Sequence, residues 1–207
     1  MDVVFEIIGK YKLVPVVKIE KASDAIDLGR ALFEGGLPIA EVTFRTDAAE
    51  EAIRLMVKEH RDMLVGAGTV LTVENAKKAI GAGAAFIVAP GFNPEVVDYC
   101  ISQGIPVTPG VTNPTQVEMG LSRGLQVLKF FPAEAAGGLK MLKAMGAVYD
   151  VKYMPTGGIN VSNLKEYLAY DKILACGGSW MVKADLISSG NFAEITRLTK
   201  EAVALTK

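Results

Sequence analysis

Short runs of branched apolar residues alternate with amphipathic stretches along nearly the whole chain. Candidate strands are Val14–Ile19, Ile39–Phe44, Leu64–Gly68, Phe86–Ala89, Ile105–Thr108, Val127–Phe130, Tyr153–Thr156 and Ile173–Cys176. Between them, apolar positions recur every three or four residues over about Ala22–Glu34, Ala48–Glu59, Val73–Ala82, Pro94–Ser102, Pro114–Leu121, Gly138–Met145 and Asn163–Tyr170. That period predicts helices with one buried face. A short helix over Asp2–Tyr11 precedes the first strand, and a longer one over Asn191–Leu205 ends the pattern. Ser23, Thr72, Asn93, Asn113 and Ser162 stand where helix N-caps are expected, and Gly35-Gly36, Gly81, Gly104 and Gly124 where helices close.

Strands that alternate with helices imply a parallel sheet. Two α/β architectures fit: a closed barrel and an open, doubly wound sheet. The eight strand candidates, evenly spaced, favour a (β/α)8 TIM barrel. No Pro/Ser-rich linker or break in composition divides the chain, so one domain is expected over residues 1–207.

Composition narrows the chemistry by exclusion. The net charge is −1 with no basic stretch, which speaks against nucleic acid as a partner. No run is long enough to span a bilayer, and the N-terminus lacks a basic segment followed by an apolar core, so neither a membrane partner nor a signal peptide is expected. Cys100 and Cys176 lie far apart without metal-ligand spacing and read as buried thiols. The one histidine, His60, sits in Lys58-Glu59-His60-Arg61-Asp62, which suggests a solvated loop. A zinc site and a Ser-His-Asp triad are both poorly supported by this inventory. Lysine, carboxylate and arginine are left to carry any reaction, with no cofactor and no metal.

Lys129 is the residue out of place. It interrupts Val127-Leu128-Lys129-Phe130-Phe131-Pro132, otherwise a buried strand. Burial disfavours an ammonium ion, and a free amine in a dry pocket is a nucleophile for ketones. The competing interpretation is a lysine at a strand end that reaches back to water.

In barrel enzymes the chemistry sits at the C-terminal strand ends. The second strand ends Glu41-Val42-Thr43-Phe44-Arg45-Thr46, and alternation puts Glu41, Thr43 and Arg45 on one face. An internal Glu41–Arg45 salt bridge is the structural alternative to a site. Thr69, after Gly66-Ala67-Gly68, suits either a ligand hydrogen bond or a helix cap. Ala89-Pro90-Gly91 reads as a turn. Glycine pairs follow the seventh and eighth strands, at Gly157-Gly158 and at Gly177-Gly178-Ser179. Bare backbone N–H groups there suit an anion, and this is the common phosphate position in barrels. A phosphorylated substrate is therefore expected. A phosphate-binding isomerase and a non-catalytic sugar-phosphate sensor remain as rival interpretations of these residues.

Five strings occur in order over nearly the whole chain: Glu41-Val42-Thr43-Phe44-Arg45-Thr46, Gly66-Ala67-Gly68-Thr69-Val70, Lys129-Phe130-Phe131-Pro132-Ala133-Glu134, Pro155-Thr156-Gly157-Gly158-Ile159 and Gly177-Gly178-Ser179-Trp180. Together they resemble the 2-keto-3-deoxy-6-phosphogluconate (KDPG) aldolase family, which includes 4-hydroxy-2-oxoglutarate (KHG) aldolase activity. The resemblance implies a class I, Schiff-base aldolase that cleaves KDPG to pyruvate and glyceraldehyde 3-phosphate. It implies Lys129 as the imine-forming residue and Glu41 as the general acid/base. Arg45 and Thr69 would sit near the pyruvate carboxylate, and Pro90 and Phe131 would line the pocket. Thr156 would lie by a substrate hydroxyl, and Gly157, Gly158, Gly178 and Ser179 by the phosphate. KHG and the galactonate epimer of KDPG are alternative substrates, with Thr156 favouring the gluconate form. The resemblance also implies a cytoplasmic homotrimer.

Overall fold

The computed structural model describes residues 2–207. The strands are β1 (Leu13–Val17), β2 (Ile39–Thr43), β3 (Leu64–Gly68), β4 (Ile87–Val88), β5 (Val107–Thr108), β6 (Gly110–Val111), β7 (Val127–Phe130), β8 (Lys152–Pro155) and β9 (Cys176–Gly178). All observed pairings are parallel. Six strands form one curled sheet in the order β5-β4-β3-β2-β1-β9, a half-barrel, and three form a second sheet, β6-β7-β8.

This differs from the single eight-stranded ladder expected of a TIM barrel, and the reasons are local. Pro109, just past the expected fifth strand, lies between β5 and β6 and has no N–H to donate, so the ladder breaks there. Its carbonyl still accepts from the Lys129 N–H at 2.9 Å. On the other flank, β8 and β9 are related by isolated bridges, Tyr153–Ile173 and Thr156–Gly177. The last strand also lies later than expected, at Cys176–Gly178 rather than Ile173–Cys176. Its glycines look like a turn in sequence, yet they pair with Val14 and Pro15 in the sheet.

Helices cover the strands: α1 (Val3–Tyr11), α2 (Asp24–Glu34), α3 (Ala49–Glu59), α4 (Val73–Gly81), α5 (Pro94–Ser102), α6 (Pro114–Leu121), α7 (Gly138–Gly146), α8 (Leu164–Leu168), α9 (Ala184–Ser188) and α10 (Phe192–Ala204). The one-turn α9 is absent from the sequence expectation. Thr72, Asn93 and Asn113 cap their helices through side-chain oxygens, as expected. Ser23 makes no side-chain cap bond, and Ser162 bonds to Asn160 instead.

Strand alternation sorts the core into two regions. Val14, Ile39, Phe86, Val88, Val127, Met154 and Ala175 cluster with Ile8 of α1, which packs beneath the sheet at the N-terminal ends of its strands. The opposite strand faces join the larger cluster under the helices. The Phe86 ring fits its cluster because Gly66 has no side chain: a Cβ there would lie 2.3 Å from the ring. Cys100 and Cys176 are free and buried, and burial pushes their thiols up to about 11 and about 12 respectively. Among the described residues, no helix is long and apolar enough to cross a membrane.

His60 corrects the expectation of a solvated loop. It is half-buried at the C-terminus of α3, with Nε2 donating to the Ile26 carbonyl at 2.7 Å. Its ring packs on Gly29, where a Cβ would lie 2.3 Å away. The imidazole therefore ties α3 to α2. Replacing His60 by Ala should cost about 1 kcal/mol of stability and leave catalytic rates unchanged; chemical denaturation alongside an activity assay checks both.

Candidate active site

The inner side of the sheet changes from apolar to polar toward the C-terminal strand ends. On β7, Leu128 and Phe130 join the outer core and Val127 the inner one. Alternation then turns Lys129 inward. On β2, Ala40 and Val42 face outward and Ile39 inward, so Glu41 and Thr43 share the inner face with Lys129.

The two charged residues meet there. Lys129 Nζ lies 3.5 Å from Glu41 Oε1, with Lys129 only 5% exposed and Glu41 2%. The separation exceeds the ~2.7–2.9 Å of a tight charge-assisted hydrogen bond, so the pair is in contact without being clamped. The Glu41–Arg45 bridge weighed as an alternative does not form. The strand-end alternative for Lys129 fails as well, because its amine is buried.

Room for the pair comes from missing side chains. A Cβ on Gly68 would lie 2.1 Å from Glu41 Oε1. Gly110 pairs in register with Lys129, and a Cβ there would lie 2.0 Å from the Pro90 carbonyl oxygen. That contact brings the Pro90 turn beside the strand next to Lys129. The Phe131 ring centroid is 5.1 Å from Lys129 Nζ, within cation–π range.

Thr69 follows β3 with φ 56, a conformation strained for a β-branched residue. Such strain collects at functional sites. The cap role considered for Thr69 belongs to Thr72. Thr156 is buried against β9, where a Cβ on Gly177 would lie 2.3 Å from its Oγ1.

Arg45 is exposed, with Nε donating to Thr43 Oγ1 at 3.0 Å. It lines a cavity of about 550 Å³ with Gly158, Asn160, Ser179 and Trp180. Gly157 and Gly158 adopt positive φ of 99 and 87, which L side chains rarely take up. The Gly158 carbonyl accepts from the side-chain amides of Asn160 and Asn163. At the other glycine pair, a Cβ on Gly178 would strike the Trp180 ring at 1.9 Å.

Two cations on this cavity wall, Lys18 and Lys183, escaped sequence reasoning. The strand-end criterion applied to Lys18 as well, but the first strand was expected to run on through Ile19, which hid Lys18 within it. Lys183 follows the last strand and had no such signal. Lys18 forms a close but solvent-exposed ion pair with Glu20 at 2.7 Å. A smaller cavity of about 280 Å³ opens near the N-terminal strand ends, and its one arginine, Arg123, is held by Asp98.

Gly68→Ala tests the steric argument. The added methyl should displace Glu41 and reduce kcat by roughly 10²-fold, the scale of a 1 Å misplacement, with a smaller change in stability; steady-state kinetics and thermal melting separate the two effects.

Comparison with known proteins places this geometry. A family profile described as KDPG and KHG aldolase matches residues 4–198. The 2-dehydro-3-deoxy-phosphogluconate aldolase of Treponema pallidum (strain Nichols) is 48% identical over 206 residues, covering 99% of this chain and 98% of its relative. The solved KDPG aldolase of Legionella pneumophila, with pyruvate captured at low pH as a covalent carbinolamine intermediate, superposes with a TM-score of 0.93 at 39% identity, over 97% of this chain and 98% of that one. The 2-keto-3-deoxy-6-phosphogluconate aldolase of Zymomonas mobilis ZM4 with 3-phosphoglycerate gives a TM-score of 0.90 at 41% identity, over 98% and 96% of the two chains. A site built around an inward lysine and its carboxylate, on a fold shared from end to end with these enzymes, identifies the chain as a member of the KDPG and KHG aldolase family.

Proposed function

We propose that this aldolase cleaves KDPG to pyruvate and glyceraldehyde 3-phosphate through an imine on Lys129. The observation that carries this reading is the buried Lys129 amine 3.5 Å from the buried Glu41 carboxylate. Cleavage of the C3–C4 bond leaves an electron pair on C3, and an iminium at C2 accepts it as an enamine.

The steps follow from that geometry. Glu41 takes a proton from the Lys129 nitrogen, the freed amine adds to the C2 carbonyl, and a second nitrogen proton passes to the oxygen to give a carbinolamine. Glu41 then returns the proton it took to the hydroxyl, which leaves as water and forms the iminium. As carboxylate, it then takes the proton from the C4 hydroxyl while the C3–C4 bond breaks, releasing the aldehyde. The enamine receives that proton at C3. Water returns to C2, and hydrolysis frees pyruvate and the amine. One carboxylate beside one amine serves every proton transfer, and a positioned acid/base of this kind contributes about 10²–10⁴-fold.

The remaining residues hold the two ends of the substrate. Arg45, with its planar fork, and Thr69 receive the carboxylate, while Pro90 and Phe131 line the wall beside C2. Thr156 faces a substrate hydroxyl. Gly157, Gly158, Gly178 and Ser179 offer backbone and hydroxyl donors to the phosphate, and Lys18 and Lys183 add positive charge on the same wall. The family description also names KHG, which supports cleavage of this shorter, unphosphorylated keto acid at the same amine as a second activity.

The two sheets are read as one closed (β/α)8 barrel in a single domain. Support comes from the carbonyl of Pro109, which carries the ladder across the split fifth strand, and from the bridges between β8 and β9. The family resemblance extends the proposal to a cytoplasmic homotrimer.

A coupled pyruvate-release assay with KDPG, its galactonate epimer and KHG tests the reading. KDPG should give the highest kcat/KM, and no pyruvate from any of the three would overturn it. In the same assay, the Lys18→Ala, Lys183→Ala double variant should raise KM for KDPG by about tenfold, the effect of losing roughly 1.4 kcal/mol of binding. KM for KHG, which has no phosphate, should stay within about twofold.

A further inference from the structure

Two hydroxyls fasten the end of β2 and the turn after it to the end of β1 and the segment that follows. Thr43 Oγ1 donates to the Val17 carbonyl at 2.7 Å, and Thr46 Oγ1 donates to the Ile19 carbonyl at 2.6 Å. Arg45 lies between them, with its backbone N–H on the Thr43 carbonyl at 2.8 Å.

The Thr43 bond has a fixed direction. A hydroxyl owns one proton, and Val17 takes it, because a carbonyl only accepts. The oxygen of Thr43 is then left to accept, and the group in reach is Arg45 Nε at 3.0 Å, which only donates. The relay runs from Arg45 Nε–H to Thr43 Oγ1, and from Thr43 O–H to the backbone of β1. Thr43 is 1% exposed, so water does not compete for its hydroxyl.

Anchoring Nε leaves the two terminal nitrogens of Arg45 to be used elsewhere. Arg30, Arg54, Arg123 and Arg197 each pair with a carboxylate of the protein. Among the described residues Arg45 and the exposed Arg61 have no such partner, and Glu41 of β2 is engaged by Lys129. Arg45 is thus held at one nitrogen and open at two, on the wall of the cavity it shares with Gly158 and Ser179.

We propose that Thr43 is a positioning residue, whose hydroxyl fixes the Arg45 guanidinium so that its two terminal nitrogens meet the substrate carboxylate together. The proposal rests on the assignment of Arg45 to that carboxylate. A guanidinium held at Nε forfeits less rotational freedom on binding than a free one. The carboxylate is bound alike before and during the reaction, so the effect belongs in KM rather than kcat.

Thr43→Val keeps the shape and removes the hydroxyl; Thr43→Ser keeps the hydroxyl. With KDPG, Thr43→Val should raise KM about tenfold, as expected for a hydrogen bond to a charged group, with kcat within about twofold. Thr43→Ser should restore KM to within about threefold. Competitive inhibition by inorganic phosphate should be unchanged in both, and in an Arg45→Ala background Thr43→Val should add nothing further to KM. Thr43→Ala replaces the valine variant if thermal melting shows that valine disrupts the strand. An unchanged KM in Thr43→Val beside a raised KM in Arg45→Ala would overturn the role of Thr43 alone, and so would additive effects or a parallel loss of phosphate inhibition. An unchanged KM in Arg45→Ala itself would remove the assignment of the carboxylate to Arg45.

Discussion

A lysine amine and a glutamate carboxylate share one buried space at the C-terminal strand ends, and the surrounding structure serves to make that contact possible. Removing either ion from water costs several kcal/mol unless the other is present. Placing both on inward faces of parallel strands is therefore a burden that the rest of the core must outweigh. At 3.5 Å the contact remains loose enough for the carboxylate to exchange partners, as the proposed relay through Glu41 requires.

The fold meets that requirement largely by leaving atoms out. Gly68 yields the volume occupied by the Glu41 carboxylate, and Gly110 admits the Pro90 turn beside the lysine strand. Below this polar layer, Ile8, Phe86 and their neighbours fill the space inside the sheet. The Lys129–Glu41 pair at one end and an apolar plug at the other make the sheet interior polar only toward the C-terminal strand ends. Lys18, Lys183, Arg45 and Gly158 line a separate cavity, and the proposed reaction needs the charged tail of the substrate there and its keto carbon at Lys129.

Much of this was legible in the sequence because alternation is a strict rule. Val127 and Leu128 around Lys129, and Ala40 and Val42 around Glu41, declare which way each side chain points. Helices were legible for a similar reason, since three of the five expected caps bond as their residue types suggest. Failures fell where one residue type serves two physical ends. Gly177 and Gly178 look like a turn but act as strand, because glycine also permits close packing against Thr156 and Trp180. Pro109 splits a strand whose direction continues through it. His60 sits among charged neighbours yet packs against Gly29, a long-range contact with no local mark. Lys18 was missed because ends are the least determined feature of a strand, and Lys183 because it lies past β9 with no local mark.

Imine trapping tests the central claim most directly. Borohydride reduction of the enzyme with pyruvate, followed by peptide mass mapping, should place one pyruvate-derived adduct on Lys129 and abolish aldol cleavage. An adduct on Lys18 or Lys152 instead, or full activity with no adduct at all, would contradict the assignment of the buried amine as the nucleophile.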